Sequence, residues 1–138
     1  MLYRATVADN IAEGNGSIRF RTDQDKSADI NKLPVAQCCT PFGGGDNIGG
    51  SGFFFMPEVG SQVWILEERD SPNNVVWIGS SFYGIEGRQN IPVEALSNSI
   101  PPTIRMIKSI KGHKLILDDR PVTQTGDYPI DVILQNGS

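Results

Sequence analysis

Two runs in the middle of the chain, Gln62–Glu67 (QVWILE) and Val75–Phe82 (VVWIGSSF), carry bulky residues at successive positions rather than at every second one. Along an extended backbone Val63 and Ile65 point one way while Trp64 and Leu66 point the other. Such a strand has no side made for water. One face lines a core, and the other needs a second cover from the same chain or from another copy of it. Gly60 and Ser61 punctuate the approach, and Asp70–Asn74 turns between the runs, so the stretch from Phe53 to Phe82 reads as a turn and two strands of a small β-barrel.

The 138 residues suffice for one domain, or one domain with an appendage. Fifteen Gly and nine Pro suit many short strands better than long helices, so the expected class is all-β. The net charge of -4, with 12 basic residues scattered singly or in pairs, leaves little footprint for a phosphate backbone and argues against nucleic acid as a partner. No window approaches the roughly 18 apolar residues of a membrane span, and the opening MLYRATVADN lacks the apolar run of a signal peptide, which leads us to expect synthesis in the cytoplasm. Cys38 and Cys39 are adjacent, a spacing too strained for a bridge, and are expected to be plain strand residues.

Leu2–Asp9 alternates as a first strand, and Ser17–Thr22 as a second, with Ile18 and Phe20 on one face and Arg19 and Arg21 on the other; EGNG at Glu13–Gly16 turns between them. Asp23–Lys32 is polar and reads as a loop or one helical turn. Pro34–Thr40 has strand character. Phe42–Gly52 (FGGGDNIGGSG), with six glycines in eleven residues, reads as a surface loop, either flexible or following a path too tight for side chains. The stretch Tyr83–Pro102 has linker composition with one helical turn at Val93–Leu96. Thr103–Ile110, Lys114–Asp118 and Ile130–Leu134 then alternate as three strands, with turns at Lys111–His113 and Asp119–Gly126. Three strands of one sheet enclose no core, so this tail is expected to be ordered by packing against copies of itself.

Catalytic chemistry has little to stand on. The single histidine, His113, sits in an expected hairpin turn, which leaves a metal site only if a threefold axis gathers three copies of it. No G-x-S-x-G elbow accompanies it, and the glycine run lacks the Lys-Ser or Lys-Thr of a phosphate loop. Glu67-Glu68 and Asp118-Asp119 point to opposite faces of their strands and read as solvated strand ends rather than acid–base pairs. Trp64 and Trp77 are either stacking platforms for bases or sugars or, the preferred reading among so many Val, Ile and Leu, packing residues within the chain or against a neighbour.

The order Pro41-Phe-Gly-Gly-Gly, then Met56-Pro57-Glu58-Val59-Gly60-Ser-Gln-Val63, then Asp70-Ser-Pro72 and Val75-Val-Trp77-Ile-Gly79-Ser80 resembles the N-terminal oligosaccharide/oligonucleotide-binding (OB) barrel of phage baseplate spike proteins and of VgrG, the type VI secretion spike. Lys111-Gly-His113-Lys-Leu115-Ile-Leu117-Asp-Asp119, followed by Ile130-Asp-Val132-Ile-Leu134, is similar to the segment in which such spikes pass into an intertwined trimeric β-prism. Relatives often continue into a β-helical needle, and some carry a lysozyme-like domain; neither is in this sequence, so the resemblance implies a short spike capped by another protein, or an adaptor.

The fold expected is therefore an OB barrel of five to six strands over residues 1–84, a linker over 85–102, and a β-hairpin or β-prism tail over 103–138 that intertwines in a trimer. The resemblance implies a virion tail baseplate protein, synthesised in the host cytoplasm, with no enzymatic activity and no cofactor. It implies a homotrimer that meets a baseplate hub protein, a separate spike-tip protein and, transiently, the target cell envelope. The contacts to hub or sister copies are expected at Trp64, Leu66 and Trp77 in the barrel. In the tail they are expected at Ile104, Met106, Leu115, Leu117, Ile130 and Val132. The competing expectations are an OB module for oligonucleotide or glycan, and a cell-wall-lytic tail protein.

Overall fold

The computed structural model describes residues 1–11, 14–25, 29–46, 49–82, 90–96, 102–119 and 130–133, without the side chains of Asp46, Asp70 and residues 130–133. Most of the expected linker, the start of the turn at Glu13, the turn after Asp119 and the last residues from Leu134 lie outside the described residues. The chain divides into two compact units, Met1–Gln89 and Asn90–Ser138.

The first unit is a closed barrel of five strands in the order β1-β2-β3-β7-β6, accompanied by a separate two-stranded ribbon, β4-β5. β1 (Leu2–Asp9) pairs antiparallel with both β2 (Ile18–Arg21) and β6 (Gln62–Glu67), and β6 pairs antiparallel with β7 (Val75–Ser81). The ring closes through a short parallel junction between β3 (Val35–Cys38) and β7, at Gln37 with Val76 and Cys38 with Trp77. Alternation decides which residues face in: Ala5 and Val7, Ile18 and Phe20, Val63 and Ile65 are all buried, and their intervening neighbours are not. Each fully buried Val, Ile or Phe contributes about 1.5–3 kcal/mol relative to exposure. Gly60, at φ 92, lets the chain turn so that its amide donates to the Val7 carbonyl at 2.8 Å, fixing the entry to β6.

Two local expectations change. The stretch Asp23–Lys32 forms two separate 3-10 turns, Asp23–Asp25 and Ile30–Lys32, the second opened by the Asp29 carboxylate accepting from the Asn31 amide at 3.1 Å. The glycine-rich stretch is no irregular loop: β4 (Gly43–Asp46) and β5 (Gly49–Gly52) form an antiparallel ribbon in which Gly43 faces Gly52 and Gly44 faces Ser51. Gly45 and Gly52 hold φ of 144 and 139, and a Cβ on Gly45 would come within 2.6 Å of the Gly50 Cα. The backbones lie too close for side chains.

The second unit holds a helical turn, α1 (Val93–Leu96), and a sheet in the order β10-β9-β8, from β8 (Ile104–Lys108), β9 (Lys114–Asp118) and β10 (Ile130–Ile133). The β8–β9 turn is closed by the Ser109 amide donating to the His113 carbonyl at 2.9 Å, with Gly112 at φ 92. Asp118 departs from the expected solvated strand end. It is buried at 6 % exposure, while Asp119 stays in solvent and accepts from Arg105 at 2.8 Å.

Candidate functional site

None of the sequence features weighed for catalysis is assembled into a reactive centre among the described residues. His113 is exposed, and its backbone amide donates to the Ser109 hydroxyl at 3.1 Å, as a turn residue does. No group of three or more His, Cys, Asp or Glu is placed to hold a metal among the described residues. Cys38 and Cys39 are free thiols; burial, then the neighbouring Cys39, raises the Cys38 thiol above its ordinary range. Cys38 lies in β3, whereas Cys39 follows it. At the far end of β1, burial first and then the Glu67 carboxylate push the Tyr3 hydroxyl up to about 12.

What the structure does display is apolar surface. In the tail sheet the register places Arg105, Ile107, Leu115 and Leu117 on one face, and pairs Ile130 with Leu117 and Val132 with Leu115. Ile107 is 49 % exposed, Leu117 41 % and Leu115 37 %. Ile104 and Met106, expected to share an interface with Leu115 and Leu117, belong to the opposite face with Lys108, Lys114 and Ile116. On that side Glu94 of α1 accepts from Lys108 and Lys114, each at 3.0 Å. A hydrogen bond from its own amide, then those from Lys114 and Lys108, hold the Glu94 carboxyl down at about 2.

On the barrel the three expected contact residues part company. Trp64 points outward, half-buried, with the Arg4 guanidinium 4.8 Å from its ring centre, so part of its second cover comes from the neighbouring strand. Leu66 is exposed, opposite Leu2 and Val76. Trp77 is corrected: at 6 % exposure it belongs to the core, and its indole Nε1 donates to the Gly16 carbonyl at 2.9 Å. Val75 and Trp77 face in on β7, which leaves Ile78 exposed instead.

A second apolar surface was not anticipated. Phe42, Phe53, Phe54 and Phe55, at the foot of the glycine ribbon, are each 53–66 % exposed. The Thr40 hydroxyl donates to the Phe53 carbonyl at 2.9 Å, the Phe53 amide donates to the Phe42 carbonyl at 2.9 Å, and the two rings meet edge-on with centres 6.1 Å apart. The run Phe53-Phe54-Phe55 beside so many glycines was the available signal. Exposed aromatic side chains gathered this closely are the kind of surface that marks a candidate interaction site.

The described residues thus form a closed five-stranded barrel and display two apolar surfaces. Comparison with known proteins agrees for the barrel. No curated protein matches the chain. The family model for the type VI secretion system/phage-baseplate injector OB domain matches residues 3–82, which take in all but the first residue of the barrel strands and more than half of the chain. The chain therefore belongs to the family of phage-baseplate and type VI secretion injector OB-domain proteins.

Proposed function

We propose that this protein is the trimeric central spike component of a contractile tail baseplate, joining the hub to the spike and helping to drive it through the target envelope. The role is mechanical. Three barrels dock on a hub protein, the three tail sheets pack against one another, and a separate tip protein completes the point. The protein resides in the virion baseplate after synthesis in the host cytoplasm, and it has no catalytic duty.

The single observation that carries the reading is the exposure of Ile107, Leu115 and Leu117 together on one face of a three-stranded sheet. A face of this sort is stabilised when sister copies cover it, and symmetry makes the same patch available on each. Family membership supplies the setting.

Light scattering at micromolar concentration tests it. The expected mass is a threefold multiple of 15.1 kDa, falling to a single copy in Leu115→Asp/Leu117→Asp. Both tryptophans lie in the barrel strands, so an unchanged tryptophan unfolding transition in that variant would show the barrel intact. A wild-type chain that remains monomeric, alone and with its hub, overturns the proposal.

A further inference from the structure

The phenylalanine cluster and its glycine ribbon are not accounted for by a tail that trimerises. We propose that this surface seats a second copy of the same barrel, with Phe42 and Phe54 entering the cleft between β3 and β7 of the neighbour. The proposal rests on the reading of the chain as self-associating and names the part of the barrel that takes part.

The knobs are built rather than loose. The bonds from Thr40 and between Phe42 and Phe53 fix the ribbon's foot, and a Cβ on Gly52 would collide with the Phe42 carbonyl oxygen, so the ribbon's conformation is reserved for glycine. Side chains held in place before contact lose less freedom on binding. A buried phenylalanine covers about 150–250 Å², so four that are more than half exposed offer roughly 400 Å², about half of the ~800 Å² per partner in a standard interface.

The hole lies beside them. A cleft of about 260 Å³ opens between the end of β3 and β7, walled by Cys39, Pro41, Phe53, Phe55 and Ile78 with Trp77 among its lining residues. Gly79, also in its wall, has open space where a side chain would stand. An apolar cavity of about 150 Å³ already accepts a benzene ring, so a phenyl side chain fits this one.

Knob and hole on one barrel point to a second copy rather than a different protein, because every copy brings both halves. Three copies facing a common axis place each knob in the next cleft, a head-to-tail contact that closes. Charge agrees. Seven basic and eleven acidic residues fall within 1–89, and five of each follow, so the whole net charge of -4 sits on the barrel unit. Like-charged barrels repel, yet Asp46 is the one charged residue between Thr40 and Met56. The patch is poor in charge and adds little to the repulsion as two such barrels approach.

Cys39, exposed at the cleft, is a natural reporter. In the full chain carrying Cys38→Ala, the rate of Cys39 modification by a soluble disulfide reagent is measured alongside mass across a concentration series. We expect the rate to fall about tenfold or more as copies associate, because access governs thiol exchange. Phe42→Ser/Phe54→Ser should restore the fast rate while the tail keeps the mass a multiple; Ile11→Ser, an exposed apolar change elsewhere, should not. An oligomer whose Cys39 reacts as fast as a denatured chain overturns this proposal alone and leaves the cleft to a different protein. Protection in a monomer overturns it too, the cleft then being closed by its own chain. A monomer with reactive Cys39 removes both this contact and the trimeric spike.

Discussion

The barrel and the tail sheet use strands of similar length and composition, and they end in opposite conditions. In the barrel five strands close on themselves, and Val7, Ile18, Phe20, Val63 and Ile65 have nowhere left to be exposed. In the tail three strands offer two faces; α1 with its Glu94 bridges sits over one, and the other keeps Ile107, Leu115 and Leu117 in solvent. Closure, not hydrophobicity, separates strands whose apolar face is buried from strands that keep one exposed.

Phe20→Ala tests that contrast most severely. At 1 % exposure Phe20 should cost the barrel about 3–5 kcal/mol in denaturant unfolding followed by tryptophan fluorescence. A transition that barely moves would show that the barrel's core is not self-sufficient. Gly52→Ala comes next, at about 1–3 kcal/mol for a side chain forced to φ 139, read as faster amide exchange in the ribbon without loss of the barrel core. Trp77→Phe removes the bond to Gly16 while keeping an aromatic ring, and should cost about 1–2 kcal/mol in the same unfolding assay.

The smallest effects are in pH, and they have opposite signs in the two units. Glu94 is held at about 2 against an ordinary 4.5, so its bridges contribute fully above 4.5 and fade as pH falls towards 2. Tyr3 keeps its proton to about 12 against an ordinary 10, so the barrel loses stability as pH rises through that interval, where the unfolded chain has already released the proton. Thermal unfolding of Glu94→Gln should lose the acid-side dependence in the tail, and Tyr3→Phe the alkaline-side dependence in the barrel. A shared profile for both units would mean that they do not unfold separately.

Much of this architecture was legible in the residues. β1, β6 and β9 run over the spans that alternation marks, and Val93–Leu96 forms its single helical turn. Alternation fails where there are no side chains to alternate, which is why Gly43–Asp46 and Gly49–Gly52 read as a loop. It also fails to say which face is inward when both are apolar. Trp77 looked available to a neighbour and is instead the inward residue of β7; Ile78 takes the surface. In the tail each strand's own pattern was correct, but the pairing of Ile107 with Leu115 is a property of two strands together. Without that register, Ile104 and Met106 could not be separated from Leu115 and Leu117.

The glycine ribbon has a further consequence, for the order of folding. The connection from β3 to β6 runs over residues 39–61, and it must be spanned before the parallel junction with β7 can close the ring. By bringing Phe42 to Phe53, the ribbon removes about half of that length from the search, worth roughly 0.6 kcal/mol of loop entropy. A local hairpin forms in microseconds, well ahead of long-range pairing. Once formed, the ribbon is a splint that shortens the tether by which the barrel finds its last seam.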